Sequence, residues 1–257
     1  NWTGLITEMD KIGNIGEIKT GKFYTRNNWG GKDEPSIWSS ETSYDQINFV
    51  LKEPGQIWGS DDDTDIEYMY QELLHDNDQI ILSAKKIKDG WIKHIKSKEE
   101  NFLWVSNQKA FDLMQDGLLP PETSDPSLNE HYDMIDAQLT TEIFGLLSPV
   151  NYKSALKMSN LPIRTTARGD AASISDFYVI IHSLASTIDS NKPLDEELIR
   201  ISDFASSVLD KNSYSLPMYE FVKSKFNSGI TWEQTRDSIY QRYQVDQKDG
   251  YDVTSRK

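Results

Sequence analysis

Apolar positions in this chain recur at three- and four-residue spacing in one block after another, and no block alternates convincingly at period two. The clearest block follows Asp63. Ile66, Met69, Tyr70, Leu73 and Leu74 fall on one helical face, and Thr64 and Glu67 stand at capping-box spacing. That pair places the start of a helix inside an acidic cluster. Further helices are predicted over about 80–97, 107–116, 131–147, 152–160, 171–189, 195–210, 217–227 and 232–244, the last headed by a second capping-box pair, Thr231 and Gln234. Residues 1–57 have weak periodicity. Asn27 to Asp33 reads as turn, and a short helix around Ser43 to Leu51 is closed by Pro54 and Gly55. The Pro-rich stretch Leu118 to Leu128 is the best internal breakpoint. With no repeat at a fixed period and no low-complexity tract, the pattern predicts an all-α fold in a single domain, 1–257.

A chain of 257 residues with 37% hydrophobic and 11% aromatic content has enough apolar side chain to bury a core, which removes a disordered class. The net charge of -14, from 27 basic and 41 acidic residues, argues against a nucleic-acid surface or an anionic membrane surface as partner. It leaves room for an anionic ligand held through a metal, because a bound cation reverses the local field. The absence of cysteine excludes disulfides, zinc–thiolate sites and thiol nucleophiles. No run approaches the roughly 20 apolar residues of a membrane span, and no signal peptide is visible; a soluble protein is expected, with its compartment, cytoplasmic or exported, left open along with its oligomeric state. Asn1-Trp2-Thr3 fits a glycosylation sequon, a triplet common by chance.

The acidic cluster carries the candidate chemistry. Asp61, Asp62, Asp63 and Asp65 lie within five positions, where their charges repel unless water or a cation relieves them. A calcium loop would use Asp61, Asp63, Asp65 and Glu72 at positions 1, 3, 5 and 12, but Ile66 stands where the sharp turn needs Gly. A magnesium site at a helix start would use Asp61, Asp62 and Asp63, with further ligands from elsewhere in the chain, because three adjacent carboxylates cannot all face one ion. The plain alternative is an N-cap at Asp62 or Asp63 with the other acids solvated. Downstream, Leu161 to Asp170 reads as a loop before a helix. Gly169 permits close approach there, the helix start offers N–H groups to a diphosphate, and Arg164 or Arg168 is placed to assist; a cap by Asp170 or Ser173 is the plain alternative. His94 and His182 lie within helical patterns and read as structural or surface groups.

Trp58-Gly59-Ser60-Asp61-Asp62-Asp63-Thr64 resembles the first metal motif of the ADP-ribosylglycohydrolases, with Asp61 where that family usually has Thr or Ser. Other blocks are similar in order along most of the chain: Trp2-Thr3-Gly4 to Glu8, Ile135-Asp136-Ala137-Gln138 through Pro149, Arg168-Gly169-Asp170-Ala171-Ala172-Ser173 into Phe177 and Tyr178, and Trp232-Glu233 to Tyr243. The Asp motif is the specific part. The resemblance implies an all-α bundle with two Mg2+ ions in a cleft and a magnesium-dependent hydrolase. The bond cut would join ADP-ribose, or a related ribosyl group, to a protein or small-molecule acceptor. It implies that Asp61, Asp62 and Asp63 hold metal and that Glu8 is a candidate acid/base; Arg164, Gly169, Asp170 and Ser173 are the candidate substrate-binding residues. The family's C-terminal Gly-x-Asp-x-Asp motif has no counterpart, since Asp246, Asp249 and Asp252 lie in a polar segment without its spacing. A fragment lacking its ends is therefore expected, or a catalytically impaired module that binds ADP-ribose or a nucleotide; a hydrolase of another ribosyl or glycosyl substrate is the third reading.

Overall fold

The computed structural model describes residues 62–96 and 103–252. By its contacts the chain divides into two units, Asn1–Gly59 and Ser60–Lys257, and the described residues belong to the second. The helix expected at 43–51 lies outside them. Among the described residues the secondary structure is helical, with no strand. Ten α-helices follow in order: α1 (Asp62–His75), α2 (Ala84–His94), α3 (Val105–Gln115), α4 (Asp136–Thr141), α5 (Ile143–Leu146), α6 (Tyr152–Thr166), α7 (Gly169–Ala185), α8 (Leu194–Ala205), α9 (Ser215–Asn227) and α10 (Trp232–Ile239). A short π turn, Tyr240–Val245, continues α10. No described helix is long and apolar enough to cross a membrane.

Two apolar clusters hold the fold. The first gathers the face predicted for α1: Ile66, Met69 and Tyr70 pack with Ile87 and Trp91 of α2, Phe111 and Met114 of α3, and Phe144 of α5. Within it the Trp91 indole donates to the Tyr70 hydroxyl at 3.2 Å, and the Tyr70 ring lies 5.4 Å from that of Phe144. Burial pushes the Tyr70 phenol up to about 12. The second cluster is built of small residues. Ala137, Ala155, Ala167, Ala171 and Ala172 join Ile163 and Val179, so that α4, α6 and α7 approach closely. Gly145 serves the same closeness, because a Cβ there would stand 2.4 Å from the Val179 carbonyl oxygen.

Several boundaries differ from the pattern's prediction. α1 is helical from Asp62, ahead of the predicted Thr64 cap, and Glu67 Oε1 accepts the Ile143 N–H at 3.2 Å, tying α1 to α5. The segment 131–147 is not one helix. Residues 131–135 turn, and the backbone breaks again at Glu142 between α4 and α5. α6 runs through Pro162 to Thr166, so 161–166 is helix rather than loop. The reason lies in the Pro-rich stretch, which is packed rather than a breakpoint. Thr123 and Ser124, in a 3-10 turn, donate their hydroxyls to the carbonyls of Thr165 and Arg164, both at 2.7 Å. The last turn of α6 thereby finds donors for carbonyls that a helix end leaves without them. At α10 the first half of the predicted pair forms, with Thr231 accepting the Gln234 N–H.

Candidate functional site

Three helix starts converge on two buried carboxylates. Asp62 heads α1 and is 1% exposed. Its Oδ2 accepts the Trp104 backbone N–H at 2.7 Å and the Asn107 amide at 2.9 Å. Trp104 is the cap position of α3 and has no capping side chain of its own. Asp62 therefore does from another helix what the acid of a capping box does within one, and the N-terminal dipole of α3 favours its charge. Asp136 heads α4 and is 5% exposed. It accepts the Ser106 hydroxyl. Burial holds its carboxyl above the ordinary range; the Ser106 hydrogen bond opposes that, and the neighbouring charge of Asp62 adds to it. Two oxygens in this cluster, Asp62 Oδ1 and Asn107 Oδ1, are buried with no hydrogen-bond partner.

A second group sits on the link between α6 and α7. Gly169 begins α7 at φ +56°, a conformation that favours glycine, and it is exposed. Asp170 accepts the Ser213 hydroxyl on Oδ2, while its Oδ1 is buried without a partner. Ser173 donates to the Asp170 carbonyl at 3.1 Å. Arg168 donates its backbone N–H to the Tyr132 carbonyl at 2.9 Å and one guanidinium nitrogen to Pro121 at 2.6 Å. Its Nε and the Thr166 hydroxyl are buried and unpartnered. Arg164 lies apart in its bonding, held to Asp176 at 3.3 Å and to the Asn160 carbonyl at 3.1 Å. Burial raises the Asp176 carboxyl, with Arg164 opposing. The turn at 131–135 links the two groups: Tyr132 touches Arg168, and four residues on, Asp136 enters α4.

Among the predicted metal residues, Asp62 is buried in the convergent cluster, Asp63 is half-buried in the first turn of α1, and Asp61 lies outside the described residues, as does Glu8. The calcium-loop reading fails, because Asp63, Asp65 and Glu72 are wound into one helix and cannot wrap an ion. Asp136 and Asn107 were not expected at the site. Their one sequence signal is a charged or amide side chain on a helical face whose other members are apolar or small: Asp136 with Ala137, Thr140 and Thr141, and Asn107 with Ala110, Phe111 and Met114. Among the described residues, no three His, Cys, Asp or Glu side chains gather into a metal centre. The donors at the convergence are nonetheless of the hard oxygen type that suits Mg2+, and two of them lack any other partner.

The C-terminal acids are otherwise engaged. Asp249 accepts from Arg242, at 2.9 Å at the closest, and from the Tyr243 hydroxyl at 3.0 Å; Asp246 accepts from Gln241. Asp246 borders an open cleft of about 470 Å3, on whose lining Arg242 is paired with Asp249 and Asp237 with Arg236. His182 is structural, bonding the Tyr178 carbonyl one turn back, and His94 is exposed. No protein-family model matches the chain, no curated protein matches it, and no solved structure matches it.

Proposed function

We propose that this protein is a magnesium-dependent hydrolase of the ADP-ribosylglycohydrolase type, cutting the glycosidic bond between ADP-ribose, or a related ribosyl group, and a protein or small-molecule acceptor. The observation that carries the reading is the head of α1. The Asp61-Asp62-Asp63-Thr64 motif leads into a helix whose first carboxylate is buried beside a second one, with an oxygen left over. Asp62 would hold the ion with Asp61 and Asp63. A bound Mg2+ supplies orientation of ribose hydroxyls and an activated water near the anomeric carbon. The residues of the chain do the rest. The head of α7, with Gly169, Asp170 and Ser173, offers backbone N–H groups to a diphosphate, and Arg168 adds a cation beside them. Arg164 contributes only by leaving Asp176. Glu8 is the proposed acid/base.

One observation favours a second reading, a module that binds ADP-ribose without cleaving it: Asp246 and Asp249 are bonded to their own neighbours rather than set out as a further ligand pair. The same assay separates the two. The chain is incubated with ADP-ribosylated protein, nucleic acid and small acceptors, and free ADP-ribose is measured chromatographically. Release that stops with chelator and returns with Mg2+ is expected. No magnesium-dependent product across the panel defeats the hydrolase reading; calorimetric binding of ADP-ribose with no turnover over hours then supports the module.

A further inference from the structure

We propose that Asp136 and Asn107 supply, from α4 and α3, the oxygen ligands that complete a divalent-cation site with Asp62. The inference rests on the magnesium half of the reading above and names ligands that the acidic motif does not contain. Asp62 spends one oxygen on two donors, the Trp104 N–H and the Asn107 amide, so Oδ1 is the oxygen left for a ligand. Asn107 gives its Nδ2 to Asp62, which leaves its own Oδ1 buried beside the same carboxylate, again without a partner. Asp136 is buried within electrostatic reach of Asp62, and the Ser106 hydroxyl fixes its orientation through one oxygen. A trapped water would satisfy the unpartnered oxygens but would leave two buried carboxylates whose charges act on each other unrelieved. A small cation answers both demands at once. The donors are two carboxylates and an amide oxygen, with no sulfur or imidazole, which selects a hard divalent ion of the Mg2+ or Mn2+ class. The backbone favours such a site as well, because the ligands come from the first turns of three separate helices and are not adjacent in sequence.

The test is Mn2+ binding to the full chain, followed by electron paramagnetic resonance at neutral pH and by the rise in Tm that a bound ion gives. Asp136→Asn and Asn107→Leu should each weaken binding by at least about tenfold and remove most of the Tm rise, on the scale at which groups around a metal affect affinity. Asp112→Asn, on the exposed face of α3, should change nothing. Asp136→Asn removes a buried charge and keeps the shape, so it is expected to fold; if it does not, Asn107→Leu decides. Wild-type affinity in either folded variant overturns the proposal, as does a folded wild-type chain that binds no Mn2+. Because no ADP-ribose substrate enters the experiment, its failure is distinct from that of the hydrolase reading. A chain that loses Mn2+ in these variants yet cleaves nothing keeps the site and loses the reaction.

Discussion

Asp62→Ala is the variant that the acidic motif invites, and the structure says it is a poor probe of chemistry. The substitution removes the acceptor of two hydrogen bonds. The Asn107 side chain is fully buried, so its abandoned amide costs about 2–3 kcal/mol, and the part-buried Trp104 N–H costs about 1 kcal/mol. Removing a charge near Asp136 returns a part of this. The net loss is about 2–3 kcal/mol, a large share of a typical domain's stability. Asp62→Asn keeps one oxygen and the shape, and should cost less than about 1 kcal/mol. The assay is urea unfolding followed by far-UV circular dichroism. With a slope of about 2 kcal/mol per molar urea, the midpoint falls by about 1–1.5 M for Ala and by less than about 0.5 M for Asn. Equal midpoints for the two variants, or an Ala variant as stable as wild type, would refute the claim that this carboxylate holds the start of α3. Under the proposed function both variants lose magnesium-dependent turnover, so the Asn variant is the one whose loss reports the metal.

Gly145→Ala should destabilise by about 2 kcal/mol. Its Cβ would meet the Val179 carbonyl oxygen at 2.4 Å and the Ser183 nitrogen at 2.9 Å, both backbone, and the usual helix gain of about 1 kcal/mol offsets only part of the overpacking; a fall of less than about 0.3 M in urea midpoint would contradict the close approach of α5 and α7. Glu197→Gln should flatten the acid limb of stability. Its hydrogen bond to Arg200, with the Asp189 N–H and Lys192 adding, holds its carboxyl down to about 2, so its contribution is present above about pH 4.5 and is lost as pH falls towards 2. Tm measured against pH shows the effect, and wild-type and variant curves of the same shape over that window would remove the assignment.

The helices were legible because most of them carry a one-sided apolar face, and that signal is local. Ile66, Met69 and Tyr70 fall at the spacing that buries them, and they are buried. What the pattern could not carry is tertiary. Pro162 reads as a helix breaker, yet α6 continues because hydroxyls from a distant turn satisfy its final carbonyls. Glu67 stands at capping-box spacing, and its bond to a helix 76 residues away is nothing that spacing announces. The convergent cluster was half legible. Asp62 was marked by the repulsion among its neighbours, whereas Asp136 and Asn107 sit singly among buried small and apolar residues, and only the meeting of α1, α3 and α4 brings them together.

That meeting also bears on why the carboxylates are there. A fold selected for stability alone would place an amide or hydroxyl at Asp136, since a second buried carboxylate beside Asp62 costs free energy that Asn would not. Hydrogen bonding explains Oδ2 of Asp62, which secures α3, but it does not explain the unpartnered Oδ1 or the second carboxylate buried within its electrostatic reach. Acid-pair chemistry at a helix head is thus a local conflict in an otherwise consistent design, and such conflicts concentrate where a ligand resolves them. Asp136→Asn should leave the metal-free chain as stable as wild type or more so, and should make it the less stable of the two once Mn2+ is added. An Asn variant that is less stable without metal would mean that the pair belongs to the fold and not to a ligand.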